Sequence, residues 1–375
     1  MKPLPLFPVW KTATPPATKK WLAAGSLITL LTGGGTALLQ HVYSGNMIFA
    51  AMIFMLLIIG GLWLCRLVYY RASLHHATVW NQTVEHEHYL WWEKHKSPLA
   101  LSEIYLTGPA GSATIDWIRL LNHEQRAPAV RQETNGKTLR IARTFSADTA
   151  EREQQLAHSL VLCWKKGHRN PVPPLARCYW HGSEAAWLAF YSQMKDSFPE
   201  VELPASPQAW HGEATLSEMA MLLRADKEKH FLVAGCHSCA ASSDALRPAG
   251  ESAVLWLVGA DGDVVMPCGE FFDLSGQDVM TQVCQRALQQ SELEDIPEAC
   301  ILFSHPCLTD LADGGWNITH HLQDNYWGNL GSMEQLVVIS LAAILARHQN
   351  QPCGWVAPDP LHTLALGIIK PYGKG

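Results

Sequence analysis

An α/β fold behind two membrane-length apolar segments is what this 375-residue chain predicts, and three observations predict it. Two uncharged apolar stretches stand near the N-terminus. Short, continuously apolar runs then alternate with helical patterns, as strands covered on both faces would. Near the C-terminus, "EQLVVISLAAILARH" (Glu334 to His348) is apolar on every face yet too short to span a bilayer. Such a helix must be enclosed by protein, which points to a helix layer trapped between two sheets. A hydrophobic share of 48% is ample for that core, and a net charge of -6 with no basic block argues against a nucleic-acid partner.

The apolar stretches run from Trp21 to Leu39 and from Met47 to Cys65. Each is close to the roughly 20 residues that cross a membrane. A signal peptide competes for the first, but the second stretch and the lack of a small-x-small cleavage site favour a two-helix transmembrane hairpin over 21–71. Lys2, Lys11, Lys19 and Lys20 precede it, Arg66 and Arg71 follow it, and the connecting "QHVYSGN" has neither Lys nor Arg. The positive-inside rule then places both termini in the cytoplasm, with residues 1–20 as a tail and 99–375 as a cytoplasmic domain. Gly33 to Gly35 and Gly60-Gly61 would allow close helix approach, or be simply tolerated there.

Residues 72–98 are polar, aromatic and His-rich, with His75, His76, His86, His88 and His95. No H-E-x-x-H occurs among them, so a juxtamembrane helix with interfacial Trp and Tyr is expected. Beyond it, "EIYLTG" (103–108), "SLVLCW" (159–164), "HFLVAG" (230–235), "AVLWLVG" (253–259), "CILFS" (300–304), "GWVAP" (354–358) and "TLALGII" (363–369) read as strands. "LSEMAMLLRADKEK" and "GQDVMTQVCQRALQQS" read as helices. The polar stretch 128–152 reads as an insertion. "PEVELPASPQ" is expected to join two halves, 99–208 and 209–375, although no internal repeat is visible.

One motif invites chemistry: Cys236 and Cys239 form a C-x-x-C pair after a strand. A structural zinc site needs four ligands, and only Cys268, Cys284 and His237 offer help. A thioredoxin-like pair should open a helix, but "AASSDALRPAGE" is a poor one. A strand end leading into a loop is the plainer reading. In a reducing compartment the 10 cysteines are not a disulfide framework. No G-x-S-x-G, phosphate loop or dinucleotide fingerprint follows a strand.

Four segments carry a resemblance: "HFLVAGCHS", "RPAGESAVLWLVG", "GNLGSMEQLVVISLAAILAR" and "PCGWVAPDPLHTLALGII". Together they resemble the thiolase-like condensing enzymes, the ketoacyl synthases. The resemblance implies an α-β-α-β-α layered domain and, by family habit, a homodimer. It also implies a nucleophilic Cys at a buried helix start, helped by two His or a His and an Asn. His305 in "LFSHPC" and Asn329 in "GNLGS" fit the helpers. The nucleophile belongs within Ser206 to Met219, which holds no Cys; Cys178 is too far upstream, and Cys236 and Cys239 follow the wrong strand. The implied catalytic set is thus vestigial, with no cofactor and no metal expected.

The hairpin, "HPCLTDLADGGWNIT" and the "GWVAPDPLH" tail also resemble a bacterial family of unknown-function proteins associated with type VI secretion. That resemblance implies an inner-membrane, non-catalytic adaptor that holds a lipase effector and helps load it on the secretion spike. The Trp-rich segments "WHGSEAAWLAFY" and "GGWNITHHLQDNYWGN" would be its anchors, unless they pack the core. Two alternatives stand beside it: an acyl-transferring condensing enzyme with an unusual nucleophile, and an effector immunity protein.

Overall fold

Helix formation in the first 95 residues follows from apolar runs free of proline. In this computed structural model, which describes residues 7–37, 45–96, 98–276, 278–305 and 308–372, the chain divides into two compact units, residues 2–91 and 92–375. The first holds α1 (Thr18–Ala37) and most of α2 (Gly45–His95). α2 is one continuous helix of 51 residues, so the expected juxtamembrane segment is its extension rather than a separate element. It is also the one described helix long and apolar enough to cross a membrane. The expected pair of spans reduces to that statement; the end of the first stretch and most of the connecting loop lie outside the described residues. A Cβ on Gly33 would meet Met52 Sδ at 3.2 Å, whereas Gly34, Gly35, Gly60 and Gly61 face open space. The segment before α1 returns along α2. Trp80 Nε1 donates to the Pro8 carbonyl at 3.0 Å, and Ala13 N–H donates to Ser73 Oγ at 2.9 Å.

The second unit opens with β1 (Leu99–Thr107), α3 (Thr114–Leu121), a hairpin of β2 (Arg131–Glu133) and β3 (Gly136–Thr138), and α4 (Thr149–Gly167). Then come β4 (Leu175–His181), α5 (Glu184–Ser197), β5 (Gln208–Ala209), α6 (Glu213–Ala225), β6 (His230–Ser238), β7 (Glu251–Gly259) and β8 (Val264–Met266). Next are β9 (Glu270–Phe272), α7 (Met280–Gln290), β10 (Ala299–Leu302), α8 (Leu308–Asp313), β11 (His321–Leu322) and α9 (Asp324–Trp327). A 3-10 turn (Gly331–Met333), α10 (Glu334–Gln349), β12 (Cys353–Ala357) and β13 (Leu364–Pro371) complete the chain.

The strand order reveals a duplication. The first half runs β5-β4-β6-β7-β1 and the second β11-β10-β12-β13-β9. Both therefore have the order third, second, fourth, fifth, first. In each, the fifth strand is antiparallel to the fourth, and the second to fourth are mutually parallel. β8 pairs with both β1 and β13 and joins the halves into one 11-stranded sheet. The boundary thus falls at Pro267–Gly269, not at the Pro-containing stretch ending at Gln208. The repeat lies in strand order, which no local sequence pattern displays.

Alternation along the strands fixes the layers. Val233, Val254, Trp256 and Val258 face one core with α6 and α10, while Leu232, Ala234, Ala253 and Leu255 face a second core with α4 and α5. In the second half, Ile301, Phe303 and Trp355 join the α6–α10 core, and Cys300, Leu302 and Val356 face a third core under α7 and α8. The result is a five-layer α-β-α-β-α stack. α10 packs against β10, β12 and β13 on one side and β1, β7 and β8 on the other. Every residue from Glu334 to Ala346 is buried, as an all-apolar helix requires. Its one interior hydroxyl, Ser340, accepts from Trp256 Nε1 at 2.7 Å and donates to the Leu336 carbonyl at 2.7 Å. Asn350 ends the helix in the left-handed conformation (φ 52°).

Two sequence expectations fail here for physical reasons. "SLVLCW" is helical, not a strand: Leu156, Leu160, Val161 and Trp164 of α4 share one buried face at helical spacing, and Asp148 caps the start by accepting from Ala150 N–H. The polar insertion is not merely a surface loop. Arg140 and Arg152 from it converge on Glu251, which is fully buried and also accepts from Ser238 Oγ (2.7 Å) and Ile141 N–H (2.9 Å). Burial alone would raise the Glu251 pKa, but the hydrogen bond from Arg152 and its companions hold it below the usual range. Two outcomes are expected in chemical denaturation. Leu341→Ala loses about 2–5 kcal/mol through the cavity it leaves, and Glu251→Ala loses about 3–5 kcal/mol by removing the carboxylate partner of the buried Arg152 guanidinium, while Arg140 keeps Glu133 at 2.9 Å.

Candidate active site

Both repeats place a helix start at the middle layer, and each of these helices opens with a buried glutamate, Glu213 in α6 and Glu334 in α10. Gly212 precedes α6 with φ 63° and ψ −136°, a conformation costly for any residue with a Cβ. A Cβ there would also lie 2.5 Å from Asp359 Oδ2 and 2.9 Å from Gln335 Oε1. This is the helix start at which the resemblance expects a thiolate. Asp359 and Gln335 fill that space instead, and Asp359 Oδ2 accepts from Glu213 N–H at 3.1 Å. Glu213 Oε1 accepts from Gly269 N–H at 2.6 Å. Burial, with Asp359 and Glu270 adding repulsion, pushes the Glu213 pKa up to about 8.

The start of α10 is more open. His305 lies just after β10, with Nε2 3.0 Å from Glu334 Oε1. Arg247 Nε sits 2.7 Å from Asp324 Oδ1, and Ser304 Oγ donates to Asp324 Oδ2 at 2.9 Å. Asn329 is a hinge pin: its N–H donates to the Pro248 carbonyl (2.7 Å), its carbonyl accepts from Gly250 N–H (3.0 Å), and its Oδ1 accepts from Gly331 N–H (3.1 Å). The structure therefore gathers both expected helpers around one turn, 328–334: Asn329 is bonded into it, while His305 Nε2 lies near Glu334 without a hydrogen bond.

That turn carries groups missed by sequence reasoning. Ser332 Oγ lies 3.2 Å from His181 Nε2, and His181 ends β4. His237, near the end of β6, lies beside it, with Nδ1 3.8 Å from Glu153 Oε1. Burial, with the neighbouring His237, pushes the His181 pKa down to about 4, so the imidazole is neutral near pH 7. Ser332 is exposed while its partner is largely covered. This hydroxyl faces a neutral imidazole at the C-terminal ends of parallel strands, the position where layered α/β sheets present ligands. No local motif announces it, because the two residues stand 151 positions apart.

The cysteines lie elsewhere. Cys236 is buried among the α4–α5 core residues, Cys268 in the middle core and Cys284 under α7, so three different layers separate them. Cys236 Sγ contacts the Glu153 carbonyl at 3.4 Å, and burial drives its pKa well above the ordinary value. Cys239 lies past the end of β6, its Sγ 3.6 Å from the Ala240 carbonyl. Cys178 is buried in β4, and burial likewise raises its pKa. The pair is the strand end and loop that the plainer reading expects.

No family model matches the chain, and no curated protein matches it. Among solved structures it is similar to the ishigamide ketosynthase/chain length factor, at 11% identity over 73% of this chain and 99% of that one, with a TM-score of 0.48. It is similar to ketosynthase twelve of the bacillaene polyketide synthase of Bacillus amyloliquefaciens, at 10% identity over 75% and 74%, TM-score 0.48. It is also similar to an HMG-CoA synthase complexed with CoA, at 9% identity over 73% and 82%, TM-score 0.43. The expected adaptor for a type VI lipase effector is not borne out: the structures named above are a ketosynthase/chain length factor, a ketosynthase and an HMG-CoA synthase. The proposed Trp anchors fail on burial as well, since Trp180, Trp187, Trp316 and Trp327 are core residues.

Glu213 supplies a pH test. Its folded pKa is raised above the unfolded one, so its contribution to stability is fully present below about 4.5 and is lost as pH rises toward about 8. The thermal midpoint of Glu213→Gln should vary less with pH across that window than the wild-type midpoint; parallel curves would show that Glu213 ionises normally.

Proposed function

We propose that the domain spanning β1 to β13 is an acyl-transferring enzyme of the condensing-enzyme type, with Ser332 as nucleophile and His181 as general base. The observation that carries this reading is the 3.2 Å approach of Ser332 Oγ to His181 Nε2. Ser332 Oγ attacks the carbonyl carbon of an acyl thioester. A C–O bond forms, the C–S bond breaks, His181 Nε2 takes the hydroxyl proton, and that proton passes to the departing thiolate. Burial keeps His181 unprotonated at neutral pH, so its Nε2 is free to accept the hydroxyl proton, but as a weak base. His237 lies beside His181, with its Nδ1 3.8 Å from Glu153 Oε1. Asn329 acts by holding the turn that carries Ser332, its Oδ1 accepting from Gly331 N–H at 3.1 Å.

A membrane attachment through the N-terminal helices, with the catalytic domain on the cytoplasmic side of a bacterial inner membrane, belongs to the same reading. The lysines before α1 and the length of α2 support it. Partners are then acyl thioesters rather than nucleic acids, with a second copy of the chain as the further expectation.

Incubating the detergent-purified full chain with acyl-CoA and recording its intact mass tests the chemistry. An acyl adduct is expected on the wild type, absent from Ser332→Ala, and formed about 10²–10⁴-fold more slowly by His181→Ala. An adduct that persists in Ser332→Ala, or none at all, would overturn the assignment.

A further inference from the structure

Three histidines meet at the edge of the second half, away from every residue given a role above. His123 follows α3, and His320 and His321 lead into β11, the outermost strand of its sheet. One ring nitrogen from each lies within 4.8 Å of the other two. His320 Nδ1 is 3.1 Å from His321 Nε2. The His123 and His321 rings are stacked with centroids 5.5 Å apart, and His320 stands edge-on to His321 at 4.5 Å. Asn317 Oδ1 accepts from the backbone N–H of Thr319 and His320, which fixes the approach of the pair.

His123 ends α3 in the left-handed conformation (φ 59°), with its N–H donating to the Leu120 carbonyl at 3.0 Å and Glu124 N–H donating to the Arg119 carbonyl at 2.8 Å, the usual helix-terminating turn. Here it brings the His123 ring against the histidine pair. His321 is buried, and its Nδ1 has no hydrogen-bond partner.

We infer that His123, His320 and His321 form a binding site for a zinc-class divalent cation. Imidazole nitrogen is a preferred ligand for that class. Zn–N bonds of about 2.0–2.1 Å in a tetrahedral site put ligand nitrogens roughly 3.3 Å apart, close to the spacing of the His320–His321 pair. Three protein ligands leave a fourth position for water or a substrate atom, the arrangement of an open rather than a closed zinc site. The site ties the loop after α3, in the first half, to the edge strand of the second.

The test is zinc content. Full-length protein in detergent is stripped with a chelator, exchanged into buffer with zinc chloride, freed of unbound metal by gel filtration and assayed by mass spectrometry. About one zinc per chain is expected, with loss of that metal in His123→Gln and in His320→Gln. Both of these residues are exposed, so the substitutions leave the core intact, and circular dichroism verifies the fold of each variant. Cobalt(II) in place of zinc should give the intense visible absorption of tetrahedral coordination in the wild type alone. Zinc retained by both variants would assign binding to the α2 histidines and overturn the proposal, as would a wild type that holds none.

Discussion

The enclosure of α10 is the constraint from which the rest of the soluble domain follows. A helix without a polar face has no stable position at a surface, so it requires a sheet on each side. Two sheets in turn need their outer faces covered, which α4 and α5 do for one and α7 and α8 for the other. The duplication meets this demand with one design used twice: each half supplies a five-stranded sheet and an inner helix. The functional groups collect at the start of α10 because that is where the middle layer meets the ends of β4, β6 and β10.

Comparison of the two inner helices shows how chemistry can move within such a scaffold. At α6, Gly212 holds a strained elbow, but Asp359 fills the space a nucleophile would need. At α10, the corresponding turn is exposed and carries a hydroxyl facing an imidazole. Each helix keeps a buried glutamate at its first position, one protonated near neutrality through burial, the other beside Arg247 and His305.

The sequence showed what depends on local pattern. The strands with continuous apolarity at 230–235, 253–259, 354–358 and 363–369 were legible, as was the enclosed helix, because burial on both faces writes itself as an unbroken apolar run. "SLVLCW" misled because a short apolar run inside a one-faced helix looks the same as a strand. β4 escaped notice because "LARCYWH" mixes exposed and buried residues at one end of the sheet. Of the candidate site, His305 and Asn329 were found through the resemblance of "LFSHPC" and "GNLGS" to the condensing enzymes. Ser332, His181 and the three-histidine cluster were not, since each depends on residues brought together by topology rather than by spacing.

Strand order also bears on how the chain matures. β1 pairs with β7, and Ser102 reaches the Leu257 carbonyl across 155 positions. At roughly 5–20 residues per second of synthesis, β1 waits on the order of ten seconds or more for its partner. Through that interval an apolar strand has an unsatisfied edge, open to the wrong neighbour. Newly made chains of this protein therefore have a built-in need for shielding, by a chaperone or by an early, provisional pairing, before the first sheet can close.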